Sequence, residues 1–287
     1  MTNRSPGNST RRLLLQATPA MLALGALSMP GAHAQQASST RPIRVLLLNP
    51  NSSEQFTELI TREAKKAGSV NAEFVGVTAP MGPRYIGTRA SSAVAGHALV
   101  DGLARTLAKD RNFDAAIVCG FGAQGAAALR EFAPFPVVDM LEASVSVALQ
   151  LGARFSVLTG GANWVPMLRD VIGGLGLGQR LASVRSIPLT GAEIVADQDR
   201  AITSLAELSE RCVKEDGADC VILGGAAVAG LPRKMAHRVS VPLIDNVAVA
   251  TAELLARHVS LPKRQGGYPS IDSVGLSEPL DKMLKQN

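Results

Sequence analysis

Two glycine-rich turns end buried, strand-like runs and carry the groups best placed for chemistry. The first is Cys119-Gly120-Phe121-Gly122, behind residues 113–118; the second is Gly224-Gly225-Ala226, behind residues 217–223. Glycines at such points let the backbone approach a ligand and turn sharply into a helix. Cys119 brings a thiol, a group that moves protons or attacks carbon as its thiolate. Alternation along a strand points Cys119 away from the face that Gly120 shows, so only a bulge would re-aim it. Thr159, in Thr159-Gly160-Gly161, adds a hydroxyl at a third strand end. Asn51 and Ser52, in Asn49-Pro50-Asn51-Ser52-Ser53, follow the first strand-like run. Either residue can cap the next helix and leave backbone N–H groups for a carboxylate or similar planar anion, or act as an ordinary cap. Thr88 shares with Tyr85 and Arg89 a loop that either closes over a ligand or runs along the surface. Asp139 and Asp245 follow matching prolines and read as helix caps or as carboxylate bases. His97, His237 and His258 are scattered without ligand spacing, so no metal site is expected.

These residues recur in order because the chain says nearly the same thing twice. Asp114 and Asp139 are 25 positions apart, and Asp219 and Asp245 are 26 apart, with apolar runs, glycines and a proline in the same sequence between them. The run 45–51 has its counterpart 110 positions later, from Phe155. Short β-rich runs at 43–48, 72–78, 115–118, 155–159, 182–187 and 220–223 alternate with helical stretches at 54–67, 92–109, 125–132, 141–151, 164–171, 198–214, 228–238 and 247–258. Such alternation predicts an α/β fold of two pseudo-symmetric lobes, each a parallel sheet flanked by helices, with one cleft between them. Residues 43–145 read as the first lobe, 146–260 as the second, and 261–287 as a C-terminal tail laid out as an extended strap.

Residues 1–34 read as a twin-arginine signal peptide: Arg11-Arg12, an apolar run over 13–29, then Ala32-His33-Ala34. Residues 35–42 read as a flexible leader, and the expected location is the periplasm. Without Arg4, Arg11 and Arg12 of the signal peptide, 26 basic residues face 24 acidic ones, about +2 against +5 for the whole chain. With no basic stripe carrying aromatics, nucleic acid is not an expected partner. The apolar run is interrupted by Gln16, Thr18 and Pro19, so no stable membrane span is expected after cleavage. Three cysteines cannot all pair internally, and Cys212 and Cys220 read as small buried residues. The glycine spacing does not fit a dinucleotide fingerprint.

The order and spacing of several motifs resemble the aspartate/glutamate/hydantoin racemase superfamily, most of all its hydantoin and allantoin racemase branch. The motifs are Asn49-Pro50-Asn51-Ser52-Ser53, Pro83-Arg84-Tyr85-Ile86-Gly87-Thr88-Arg89 with Ala95-Gly96-His97-Ala98, and Phe121-Gly122 with Ala128-Leu129-Arg130-Glu131. Pro136-Val137-Val138 with Glu142-Ala143-Ser144, residues 154–159, Gly224-Gly225-Ala226 with Ala229-Gly230-Leu231, and Pro242-Leu243-Ile244-Asp245 complete them. The resemblance spans nearly all of 43–260. It implies two similar α/β lobes, no cofactor, a small carboxylate, amino-acid or cyclic-ureide substrate, and one cysteine at the strand end of each lobe. A racemase of this type needs a proton-transfer group on each face of the substrate carbon. Aligned on the flanking motifs, those two positions are Gly120 and Gly225. Two readings therefore stand: a cofactor-independent isomerase, decarboxylase or hydrolase with a changed residue set, and a periplasmic binding protein that kept the cleft. The sequence is compatible with a homo-oligomer and does not specify one.

Overall fold

The computed structural model describes residues 41–68, 71–258 and 269–285. The expected signal peptide and nearly all of the flexible leader lie outside them. Residues 45–48, 115–118 and 220–223 are fully buried apolar runs, and 155–158 are equally buried with Ser156 as their one polar residue, which suits strands covered on both faces. They are the middle strands of two four-stranded parallel sheets. The first has the order β2(Ala72–Thr78)-β1(Ile43–Asn49)-β3(Ala115–Val118)-β4(Val137–Asp139). The second repeats it as β6(Leu181–Ile187)-β5(Phe155–Gly160)-β7(Cys220–Leu223)-β8(Leu243–Asp245). Leu48 pairs with Val118 in one sheet, and Leu158 with Leu223 in the other, so the duplicated strand ends occupy matching places.

Ten helices complete the described residues: α1(Glu54–Ala67), α2(Arg89–Lys109), α3(Ala126–Phe132), α4(Met140–Leu151), α5(Trp164–Gly174), α6(Gly191–Ala196), α7(Gln198–Asp216), α8(Leu231–Met235), α9(Asn246–Arg257) and α10(Glu278–Lys285). The starts of α4 and α9 are fixed alike. Asp139 Oδ1 accepts from the N–H groups of Leu141 and Glu142, and Asp245 Oδ1 from those of Val247 and Ala248. Both aspartates thus take the capping role.

Helices α4 and α9 pack against each other and on both sheets. Leu141, Val145 and Ala148 of α4 and Val247, Ala250 and Leu254 of α9 share one core with Val45, Leu47 and Ile117 of the first sheet and Phe155, Val157 and Ile222 of the second. The two lobes are therefore joined by packing rather than by a linker. Each fully buried side chain of this size contributes about 1.5–3 kcal/mol. That outweighs the polar link, in which buried Glu63 of α1 pairs with Arg233 of α8 at 2.6 Å while Arg233 remains half exposed.

Three segments differ from the sequence reading. Residues 228–238 do not make one helix: left-handed Gly230 and Pro232 break them into a 3-10 turn at Ala226–Val228, then α8, then a second 3-10 turn at Ala236–Arg238. Residues 191–196, given no element in the sequence reading, form α6 behind the Thr190/Glu193 capping box. The tail is not an extended strap throughout. Ser277 caps α10, which buries Leu280 and packs on α2, and the Ser277 hydroxyl bonds Asp101.

Candidate functional site

The carboxyl ends of β1, β3, β5 and β7 converge on a cavity of about 80 Å3. Its floor is Pro50 and Asn51 after β1, Cys119, Gly120 and Phe121 after β3, Thr159 and Gly160 of β5, and Gly224 to Val228 after β7. This is where parallel α/β sheets place ligands. A space of this size admits waters or one compact ligand, not a dinucleotide. Four of the ten aromatic residues of the chain line it: Phe56, Tyr85, Phe121 and Trp164. Phe121, from the first lobe, lies against Gly224 of the second so closely that a Cβ on Gly224 would enter its ring. Tyr85 crosses the other way, its hydroxyl beside Gly161, and burial raises its pKa. The exposed pair Arg89–Asp170 joins the same loop to α5.

Of the residues singled out in the sequence, Asn51, Cys119, Gly120, Phe121, Thr159, Gly224, Gly225 and Ala226 border this cavity. Ser52, Thr88 and Gly122 do not. Ser52 holds the Tyr85 loop, donating from its N–H to Pro83 O and from its hydroxyl to Gly82 O, both at 3.0 Å. Thr88 caps α2 in a capping box with Ser91. Gly122 lies just outside, beside Trp164 and Gln124. Ser53, rather than Asn51 or Ser52, is the residue at the start of α1. The N–H groups of Asn51, Ser52 and Ser53 are all used within the loop, on Asn49 Oδ1, Pro83 O and Asn51 Oδ1. The turn leaves none of those three donors for an anion.

Cys119 keeps the strand alternation. Ala115, Ile117 and Cys119 join the core between the lobes, whereas Ala116 and Val118 face the outer helices. Its N–H continues the ladder to Leu48 O at 2.9 Å, so no bulge turns it out. The thiol is 3% exposed and lies 3.4 Å from Ile117 O. Burial, and secondarily the nearby Asp139 carboxylate, hold its pKa far above the ordinary thiol value. Burial likewise raises Cys220 to about 11 and lifts Cys212.

Gly120 and Gly225 are held as glycine by different constraints. At Gly120 the space is taken: a Cβ would collide with Gln124 Oε1 and come within 2.6 Å of Pro50 Cγ. At Gly225 the space is open, with Thr159 Oγ1 at 3.8 Å, but φ is +115°, a conformation that L side chains rarely adopt. The sequence reading assigned no role to Gln124, and it missed Phe56, Trp164, Gly191 and Ile194. The signal for Gln124 was a carboxamide inside an otherwise small, apolar turn after a buried strand, where polar groups demand partners. Phe56 and Trp164 gave no signal, because core and cavity aromatics look alike in sequence.

Among the described residues no charged side chain lines the cavity; its polar groups are the side chains of Asn51, Tyr85, Cys119, Gln124 and Thr159 and the indole N–H of Trp164. Among the described residues no cluster of His, Cys, Asp or Glu could hold a metal, and no helix is long and apolar enough to cross a membrane.

The comparisons agree with this architecture. Residues 45–254 match the model of the Asp/Glu/hydantoin racemase family. A hydantoin racemase of Pseudomonas sp. (strain NS671) is 29% identical over 222 residues, covering 77% of this chain and 88% of that protein. The allantoin racemase of Pseudomonas fluorescens superposes with a TM-score of 0.76 at 31% identity, covering 81% of this chain and all of that one. Allantoin racemase from Klebsiella pneumoniae gives 0.77 at 25% identity, covering 83% and 99%. Arylmalonate decarboxylase, at 18% identity and 0.52, shares the fold. The chain belongs to the Asp/Glu/hydantoin racemase family and is related to the hydantoin and allantoin racemases.

The buried cap Asp139 predicts a pH signature. Burial raises its pKa to about 7, against about 3.9 in an unfolded chain. Below pH 4 both states are protonated and Asp139 costs nothing. Between pH 4 and 7 only the unfolded state ionises, so the penalty grows by roughly 1.4 kcal/mol per unit and then levels off. Urea titrations should show Asp139→Asn gaining stability relative to the unsubstituted protein across that window; a pH-independent difference contradicts the assignment.

Proposed function

We propose, on the premise of this family membership, that the cavity takes a small neutral cyclic ureide, the chemistry of hydantoin and allantoin, and holds it without two-thiol proton exchange. One observation carries this reading: among the described residues the cavity wall offers carboxamide, hydroxyl and aromatic groups but no charged side chain. A carboxylate would enter without a counter-ion, and the N–H donors of the 51–53 turn are already bonded. A flat, uncharged ring with amide edges fits both the polar and the aromatic walls. The positions to which the resemblance assigns thiols are Gly120 and Gly225, and glycine holds no proton. Cys119 supports a second reading, one-thiol chemistry, because it borders the cavity; its buried, protonated state weighs against that.

Residues 1–34 support export as part of the same proposal, since the charged, apolar and small-residue segments follow in the order of a twin-arginine signal. Terminal sequencing of protein from the cell envelope should then begin at Gln35; recovery of the intact leader from the cytoplasm alone would refute export.

Calorimetric titration with hydantoin should give saturable binding. Proton NMR of a 5-substituted hydantoin in D2O should show the C5–H signal decaying no faster with the protein than without it. Protein-dependent exchange would overturn the binding reading, and its loss in Cys119→Ala would establish the one-thiol alternative.

A further inference from the structure

Gln124 sits in the turn between β3 and α3, borders the cavity and is 4% exposed. Its Nε2 donates to Ser92 Oγ in the first turn of α2, at 3.2 Å. Its Oε1 is buried and has no hydrogen-bond partner among the described residues. The amide plane fills the room left by two glycines. A Cβ at Gly120 would collide with Oε1, and one at Gly122 with Nε2. Any side chain at 120 or 122 would displace the carboxamide, so glycine at both positions makes room for it.

A buried amide oxygen left unpaired is costly, and the cost is recovered when a ligand supplies the donor. Anchored through Ser92, the amide presents an acceptor beside Gly120, at the meeting point of the two lobes. We propose that Gln124 Oε1 accepts the ring N–H of a cyclic ureide and thereby decides which ring nitrogen must be unsubstituted. The inference rests on the neutral-ureide reading above and deepens it: a recognition group stands where the resemblance places a proton-transfer group. Sites built to hydrogen-bond a donor reject analogues that lack it, because the acceptor is then buried unpaired.

Titrations of the wild-type protein with hydantoin, 1-methylhydantoin and 3-methylhydantoin test this, alongside Gln124→Met, which keeps the volume without the acceptor. Wild type should bind hydantoin about tenfold more tightly than one of the two methylated rings. Gln124→Met should bind hydantoin about tenfold more weakly and lose the preference between rings. Melting curves check that the variant is folded, and Gln124→Leu replaces it if it is not. A folded variant that keeps wild-type affinity and preference overturns the role of Gln124 while leaving the ureide reading intact. Failure of the wild type to bind any of the three overturns that reading, and this inference with it.

Discussion

The shared core around α4 and α9 is the constraint on which the rest of the molecule depends. Both helices bury apolar faces against two sheets at once, and both begin at an aspartate that ends a strand. This fixes the separation of the lobes to within side-chain packing, since interiors tolerate little slack. The strand ends of β1, β3, β5 and β7 are thereby held around a cavity too small for anything but a compact ligand. Polar links such as Glu63–Arg233 and the exposed Arg89–Asp170 add orientation rather than the main cohesion.

Within that frame the two strand-end glycines answer to different physics. Gly225 answers to backbone conformation, Gly120 to occupied space. A side chain at 225 would require the backbone to relax; at 120 it would require Gln124 and Pro50 to move. The turn around position 120 closes around the Gln124 carboxamide. With Cys119 protonated inside the core, the turn offers hydrogen bonding where the family resemblance implies acid–base chemistry.

The architecture was legible because it is written by period and repetition. Buried strands such as 45–48 and 220–223 are unbroken apolar runs, and duplicated prolines and aspartates mark the same corners in each lobe. The places where the reading slipped are governed by single residues. Gly230 and Pro232 split a helix that periodicity alone would continue. Ser277 and Leu280 nucleate α10 within a stretch whose Pro, Gly and Ser content reads as irregular. At the site, the strand-end residues were legible, but Ser52 and Thr88 proved to hold loops and helix ends. The role of Gln124 was not legible, because it depends on empty volume beside two glycines, a property of three-dimensional packing. The leader at residues 1–34 lies outside the described residues and remains a reading of the sequence.

The most direct test of the central claim is a crystal structure of the protein soaked with hydantoin. The account predicts the ring between the turns at Gly120–Phe121 and Gly224–Ala226, flanked by Phe56, Tyr85 and Trp164, with a ring nitrogen within hydrogen-bond distance of Gln124 Oε1. A ring seated elsewhere, or one that turns the Cys119 thiol out toward its C5 carbon, would contradict it.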